Sequence, residues 1–411
     1  MNILLLPPYF TPEQMASTHL DEHRYWAFAD EGYKMLLYTP SPTRGVSDEL
    51  RAEYCTRKHE VKYNGMMQVY RFSMFREGSN PVIRALRYTL CWFKQFFYGC
   101  LAKDITLVYL VSTPPIQGVI GALLKKIKKV PFVYNLQDIF PDSLVGTGLA
   151  KKDGLLWKIG RMIENFTYRN ADKIIVISEG FKKNIMAKGV PEEKIEVVYN
   201  WVDEDAVKHV TRKENKLFDK YGLDRNKFYI TYCGNIGLTQ NMDMLLEVAK
   251  EFETEQGIQF VLIGEGAYKD KVQEIIQERE IKNVTLLPFQ PYEDISHVFS
   301  LGDAGLVISK PGVGENSVPS KTWSILSASR PVLVNFDENE LKSIIDKHQC
   351  GIFTKAGDKG AFKDAVLRLY QNRDLCNEMG NNGRKFILDN LTRTAGTQKY
   401  IDVIKMYEKR Q

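Results

Sequence analysis

A lysine at the head of an expected helix, just past a glycine-containing loop, is the residue of this 411-residue chain best placed to do chemistry. The stretch from Lys310 to Pro331 reads K-P-G-V-G-E-N-S-V-P-S-K-T-W-S-I-L-S-A-S-R-P. It leaves an apolar run, Ala304 to Ile308, that has the character of a buried strand. It then passes Gly312, Gly314 and Pro319 and enters a segment whose Trp323 and Leu326 are spaced as on a helix. Such a passage offers backbone N–H groups and a positive helix end to an anion, with Ser320 as candidate cap and Lys321 as a mobile cation. The competing reading is an ordinary β–α connection with a surface lysine. A second group, Gln137, Asp138 and Asp142 in N-L-Q-D-I-F-P-D-S, follows the expected strand Pro131 to Leu136. Ligands of open α/β sheets sit at that carboxyl edge, so Asp138 is a candidate acid/base group; a helix-capping carboxylate is the equal alternative. Asp203-Glu204-Asp205 has the D-x-D spacing of a metal motif, but a short acidic triplet at a loop–helix junction reads as a cap and first turn. No metal is expected.

Alternating strands and helices must position these groups. Residues 2–6 are an apolar strand, and the loop Pro7 to Ser17 carries Tyr9, Thr11 and Glu13. A helix from about Thr18 to Glu31 stops at Gly32, and Lys34 to Thr39 is the next strand. This βαβ order implies a parallel sheet, and the missing G-x-G-x-x-G in the first loop disfavours a nicotinamide dehydrogenase. Asn80 to Ala102 predicts a strongly aromatic helix capped by Asn80, with Pro81 at its first position. Arg84, Arg87, Cys91 and Lys94 follow helical spacing and predict a basic stripe beside Trp92 and Phe93, suited to an anionic membrane surface; a core helix with a solvated face is the plainer reading. Lys125, Lys126, Lys128 and Lys129 add to the membrane reading. Further strands are expected at Asp104 to Val111, Lys173 to Ser178 and Ile195 to Val198. A boundary falls near Asn200 to Asp205, with a flexible connection over Lys208 to Arg225. The alternation restarts at Phe228, through the turn G-N-I-G-L-T-Q-N, a helix from Met242 to Phe252, and a strand that ends in G-E-G (264–266). The expected architecture is α/β. Two Rossmann-like doubly wound domains, 1–200 and 201–392, flank a cleft, and a tail helix of about 393–411 reaches back to the first.

Six cysteines without C-x-x-C spacing read as reduced packing residues, and no run is apolar enough to span a bilayer. The start MNILLLPPYF lacks a basic n-region, so no signal peptide is expected. Of the net charge of +5, residues 1–200 hold +7 (27 Lys/Arg less 20 Asp/Glu) and the remainder −2 (29 less 31). A basic first half favours an anionic partner.

The segments A-D-K-I-I-V-I-S-E-G-F (171–181), Y-N-W-V-D (199–203), Y-C-G-N-I-G (232–237) with Asp243, and V-P-S-K-T-W-S-I-L-S-A-S-R-P-V (318–332) resemble the retaining GT-B glycosyltransferases of family 4 over essentially the full length. N-L-Q-D-I-F-P-D-S-L (135–144) and the L-P-P-Y-F-T-P-E start are similar to transferases of bacterial surface polysaccharides, with the N-acetyl-fucosamine-type group the nearest likeness. The resemblance implies a donor loop at Glu315, Asn316, Ser317 and Val318, with Glu315 catalytic. It implies diphosphate contacts from Lys321, Asn235, Gly237 and Gln240, a ribose contact near Ser324, and the nucleotide base facing Phe289. Tyr9, Thr11 and Gln137 would line the acceptor side. The chain departs from the pattern: the paired glutamates are broken, Asn235 and Gln240 stand where many members carry Arg and Lys, and Gln137 replaces a frequent histidine. Lys321 would then carry unusual weight. A charge-assisted contact to a developing phosphate charge contributes roughly 2–4 kcal/mol.

The expectation is a transferase that uses a UDP-sugar, without metal or other cofactor. It would act on a lipid-linked saccharide for O-antigen or capsule, peripherally at the cytoplasmic face of the inner membrane, with no nucleic-acid partner. A sugar-nucleotide epimerase on the same fold and a non-catalytic assembly subunit are the alternatives.

Overall fold

The computed structural model of the chain describes residues 1–13, 18–76, 81–146, 151–314 and 318–408. The expected cap Asn80 and the expected donor-loop residues Glu315, Asn316 and Ser317 lie outside them. The chain divides into two compact units, Met1–Tyr199 with Gly396–Gln411, and Asn200–Ala395.

In the first unit the strands are β1 (Asn2–Leu5), β2 (Lys34–Pro40), β3 (His59–Lys62), β4 (Met67–Phe72), β5 (Leu107–Val111), β6 (Phe132–Leu136), β7 (Lys173–Val176) and β8 (Ile195–Val197). They form one sheet in the order β3-β4-β2-β1-β5-β6-β7-β8. Only the β3–β4 pair is antiparallel. Its turn uses left-handed Tyr63, Asn64 and Gly65 (φ 51°, 53° and 92°), which Asn and Gly adopt with least strain. The helices are α1 (Thr18–Asp30), α2 (Asp48–Thr56), α3 (Pro81–Leu101), α4 (Gln117–Lys128), α5 (Asp142–Gly146), α6 (Leu155–Asn170) and α7 (Glu179–Ala187). Every residue of β6 and β7 is buried, as crossover helices on both faces of a parallel sheet require.

The second unit contains α8 (Leu217–Lys220), β9 (Phe228–Cys233), α9 (Met242–Glu251), β10 (Ile258–Ile263), α10 (Lys269–Glu278), β11 (Val284–Leu287), α11 (Ile295–Phe299) and β12 (Ala304–Ile308). It continues through α12 (Lys321–Ser327), β13 (Val332–Phe336), α13 (Glu340–His348), β14 (Gly351–Lys355), α14 (Lys359–Gln371) and α15 (Arg373–Asn390). Its parallel sheet runs β11-β10-β9-β12-β13-β14. The chain winds outward in one direction from β9 and in the other from β12, so the β9/β12 junction is the switch point, where loops diverge and leave a crevice. In the first unit the equivalent junction is β1/β5.

The tail helix, α16 (Arg393–Lys405), packs on the first unit as its length suggested. Tyr400 is fully buried there, and its hydroxyl hydrogen-bonds Asn135 Oδ1 at 3.2 Å. Asn135 in turn donates to the Tyr109 hydroxyl at 2.9 Å, and the Arg24 guanidinium lies 5.0 Å over the Tyr400 ring. The stretch 208–225 is not the free connection that its charge suggested. Lys208 and Val210 donate backbone N–H groups to Ser296 and Ser300, Asn215 reaches the His297 carbonyl, and Arg212 reaches those of Arg225 and Lys227. Polar side chains clamp this strap, and Leu217 and Phe218 bury themselves completely in the core beside Tyr229 and Val261.

Candidate functional site

At the β9/β12 switch point three loops meet backbone to backbone. Gly234 donates to Ile263 O at 2.9 Å, Ile236 to Glu265 O at 2.8 Å, and Lys310 to Thr239 O at 2.8 Å. The approach demands glycine: a Cβ on Gly264 would lie 1.9 Å from the Gly234 carbonyl, and one on Gly266 2.3 Å from that of Ile236. Gln240 Oε1 accepts from Gly237 N at 3.0 Å, so its side chain closes the turn instead of reaching outward. Asn235 is exposed at the tip.

Lys321 opens α12 and points back at this turn. Its ammonium sits 3.7 Å over the Tyr232 ring and would lie 3.0 Å from a Cβ on Gly234. Burial pushes its pKa down from the ordinary 10.5 to about 8, only partly countered by Cys233. Among the described residues no carboxylate stands against it, and the cation–π contact is the main compensation. Such a group gains most from an arriving anion. Val318 and Ser324 are half-buried on the adjoining loop and helix, and Phe289, beyond β11, is 70% exposed.

Two expectations for this loop are corrected. Ser320 is in right-handed helical geometry and makes no side-chain cap bond. The Gly312 and Gly314 amides are not open to a ligand, because Asp337, beyond β13, accepts both at 2.9 and 2.7 Å. Asp337 escaped the sequence reading because its partners lie more than 20 residues away. Asp243 accepts the Tyr268 hydroxyl at 2.9 Å, and the Lys310 ammonium lies 5.7 Å over the Tyr268 ring.

In the first unit a cavity of about 320 Å³ opens at the β1/β5 switch point, lined by Tyr9, Thr11, Glu13, Asp21, Glu22, Arg44 and Tyr88 among others. Tyr9 and Tyr88 share a 2.8 Å hydroxyl contact, and Thr11 Oγ1 donates to Glu22 at 3.0 Å. Glu13 is buried. It accepts the amides of Thr43 and Arg44 at 2.7 and 2.9 Å, and burial raises its pKa against those bonds and the Arg87 charge. Aromatic faces beside carboxylates suit sugar hydroxyls and ring faces. Asp138 does not line this cavity. It accepts from Ser143 on α5 at 3.1 Å, burial raises its pKa, and it borders a small gap beside Tyr134 and Glu164. Gln137 donates to Asn135 at 2.8 Å, and both 137 and 138 hang their amides on Ser112 Oγ.

The basic stripe of α3 is corrected too. Arg84 and Lys94 are exposed, but Arg87 and Cys91 are buried. The Arg87 guanidinium stacks 5.2 Å over the Tyr9 ring and acts on Glu13, which supplies the charge that lets it stay inside. Trp92 is half-buried and donates to Ile116 O at 3.1 Å. Outward instead runs an apolar ridge of Ile83, Leu86, Leu90, Phe93, Phe97 and Leu101. Among the described residues no helix is long and apolar enough to cross a membrane. Asp203, of the acidic triplet, accepts the amides of Asp205 and Ala206, as a capping residue does.

Residues 213–386 match the family described as Glycosyl transferases group 1, and residues 25–206 match Glycosyltransferase Family 4. Over 208 residues the chain is 30% identical to an Escherichia coli (strain K12) protein, WcaI, provisionally named a colanic acid biosynthesis glycosyl transferase; the match covers 50% of this chain and 51% of that one. For this and a second curated relative, the chain spans about half of the relative's length. Sucrose-phosphate synthase from Thermosynechococcus elongatus has a TM-score of 0.79 at 13% identity, covering 100% of both chains. Anabaena Alr3699/HepE, solved with UDP and glucose, has a TM-score of 0.73 at 16% identity, covering 99% of this chain and 100% of that one. At such identities the likeness establishes the fold, two parallel-sheet α/β units of GT-B type.

Proposed function

From the premise that its two units belong to glycosyltransferase family 4 and to the glycosyl transferases of group 1, we propose that the chain is a retaining glycosyltransferase. It moves a sugar, of the N-acetylated deoxyhexosamine type by resemblance, from a UDP-sugar to a lipid-linked saccharide in bacterial surface-polysaccharide assembly. The observation that carries the donor side is the buried Lys321 ammonium, held on an aromatic ring beside the Gly234–Gly237 turn with no carboxylate among the described residues to neutralise it. The UDP bound by the HepE structure supports the choice of nucleotide.

In this reading the bond between the anomeric carbon and the diphosphate oxygen breaks, and the electron pair leaves on the diphosphate. Lys321 donates an N–H to that developing charge beside the Asn235–Gly237 turn, whose Ile236 and Gly237 amides are already held by Glu265 O and Gln240 Oε1. The acceptor hydroxyl bonds the anomeric carbon on the face the diphosphate left, and its proton passes to a donor phosphate oxygen. The chemistry is written without a metal; the Asp203 and Glu204 carboxylates are committed to the amides of Asp205, Ala206 and Arg393. The Tyr9–Tyr88 cavity holds the acceptor sugar, and Asp138, outside that cavity, holds α5 through Ser143. The α3 ridge, flanked by Arg84 and Lys94, rests on the cytoplasmic leaflet that carries the lipid-linked acceptor.

The test is nucleotide release and product mass on incubation of a UDP-sugar panel with lipid extract. UDP release with a sugar added to lipid supports the proposal; isomerised donor without any acceptor is the epimerase outcome. Lys321→Ala should slow transfer about 100-fold or more. Unchanged turnover in that variant would remove the leaving-group assignment.

A further inference from the structure

The opposite edge of the second unit's sheet carries a feature that donor chemistry does not use. Parallel strands place the residues just before β9, β12 and β13 at one amino edge, roughly 17 Å from the Lys321 end at ~3.3 Å per residue of β9. An open depression of about 380 Å³ lies there, lined by Arg212, Arg225, Arg330 and Arg373 around a single carboxylate, Asp303, with Asn377 among the rest.

Asp303 is already committed. Oδ2 accepts the Tyr229 amide at 2.8 Å and Arg212 at 2.6 Å, and Oδ1 accepts Arg373 at 2.8 Å. Arg225 pairs with Asp219, which does not line the depression, at 2.7 Å. Four guanidinium charges therefore face two carboxylates. Arg330 is the least satisfied: it donates to Ser300 O at 3.0 Å, but its buried Nε–H has no hydrogen-bond partner among the described residues. Burial and the neighbouring Arg212 charge both push its pKa down, so the folded chain holds that charge at a cost. A purely structural cluster would have its forks filled. Here two are, Arg212 by carbonyls and Asp303, Arg225 by Asp219 and carbonyls, while Arg330 leaves a buried Nε–H unpaired in the wall and Arg373, stacked 4.5 Å over the Phe228 ring and bonded to Asp303, keeps a partly exposed guanidinium at the open space.

We propose that this amino edge is a second anion site, taking a small soluble phosphate- or diphosphate-bearing ligand on Arg330 and Arg373 with Arg212 and Arg225 as the fixed wall. Planar guanidinium forks match two oxygens of a phosphate at once, and a dianion matches the surplus charge. The site is independent of the transferase reading, and its occupant would regulate or stabilise this unit rather than react in it.

The probe is inorganic pyrophosphate, titrated by calorimetry into the full-length chain saturated with UDP, and separately into Lys321→Ala. The proposal expects saturable binding in both, weakened about 10-fold or more by Arg373→Gln, whose side chain is partly exposed and whose loss should leave the fold intact by circular dichroism. Arg330→Lys keeps the charge but loses the fork, and should weaken binding as well. No saturable binding up to about 10 mM, or equal binding by Arg373→Gln, overturns the proposal. Binding lost in Lys321→Ala but kept in Arg373→Gln places the anion at the donor edge instead, which also overturns it. Flotation with anionic-lipid vesicles separates the other phosphate source: retention that depends on Arg373 without pyrophosphate binding would assign the edge to a lipid headgroup and refute a soluble ligand.

Discussion

Replacing Lys321 by Met should make the unliganded protein more stable while destroying its donor chemistry. Burial holds the ammonium's pKa at about 8 against the ordinary 10.5, which corresponds to ~3 kcal/mol of penalty at ~1.4 kcal/mol per tenfold change in proton affinity. Met keeps the apolar stem and forfeits the cation–π contact with Tyr232, worth ~1 kcal/mol. The net gain is ~2 kcal/mol at neutral pH. Below pH about 8 folded and unfolded chains both carry the proton and the full penalty applies. Between about 8 and 10.5 only the unfolded chain holds it, so wild-type stability from this group rises through that window and the Met variant's advantage shrinks. Urea unfolding of the second unit's transition at pH 7 and pH 10, wild type against Lys321→Met, reads this directly. A Met variant less stable than wild type at pH 7, or an advantage that does not shrink at pH 10, would refute the reasoning that the site stores an uncompensated charge.

The same lysine sets the pH dependence of catalysis. kcat/KM should fall as pH rises through about 8, because the ammonium form is the one that meets the diphosphate, and the limb should move upward in kcat once bound donor charge favours the proton. Gly264→Ala forces a Cβ to 1.9 Å from the Gly234 carbonyl, so the turn must shift. Thermal unfolding should show a loss of about 2 kcal/mol or more, with UDP affinity reduced as well. Phe93→Ser with Phe97→Ser on the α3 ridge should release the chain from anionic-lipid vesicles in flotation, with the fold unchanged because both side chains are more than half exposed. Equal flotation of that double variant would make the ridge a plain solvent face. Arg87 is unsuited to such a test, since its guanidinium sits inside against Tyr9.

The alternation of strands and helices was legible because parallel strands buried on both faces read as continuous apolar runs, and Phe228–Cys233 and Ala304–Ile308 stand in the structure where those runs lie. The β3–β4 hairpin was missed although Asn64-Gly65 signals it, because short, half-exposed edge strands carry little periodicity. Lys321 was legible as a helix-start cation, but not its burial, since the Tyr232 ring beneath it comes from a strand 89 residues earlier. Arg87 was misread for a related reason: helical spacing says which residues share a face, not whether that face meets water or Glu13. The Asp337 bonds to Gly312 and Gly314 and the arginine edge around Asp303 are contacts between loops distant in the chain, which a local pattern does not encode.

The most direct measurement is a structure of the chain with UDP bound. The account predicts the diphosphate beside the Gly234–Gly237 turn with Lys321 Nζ drawn off the Tyr232 ring to about 2.7–3.2 Å from a β-phosphate oxygen. A diphosphate seated away from that turn, or an ammonium still resting on Tyr232 with the nucleotide in place, would contradict it.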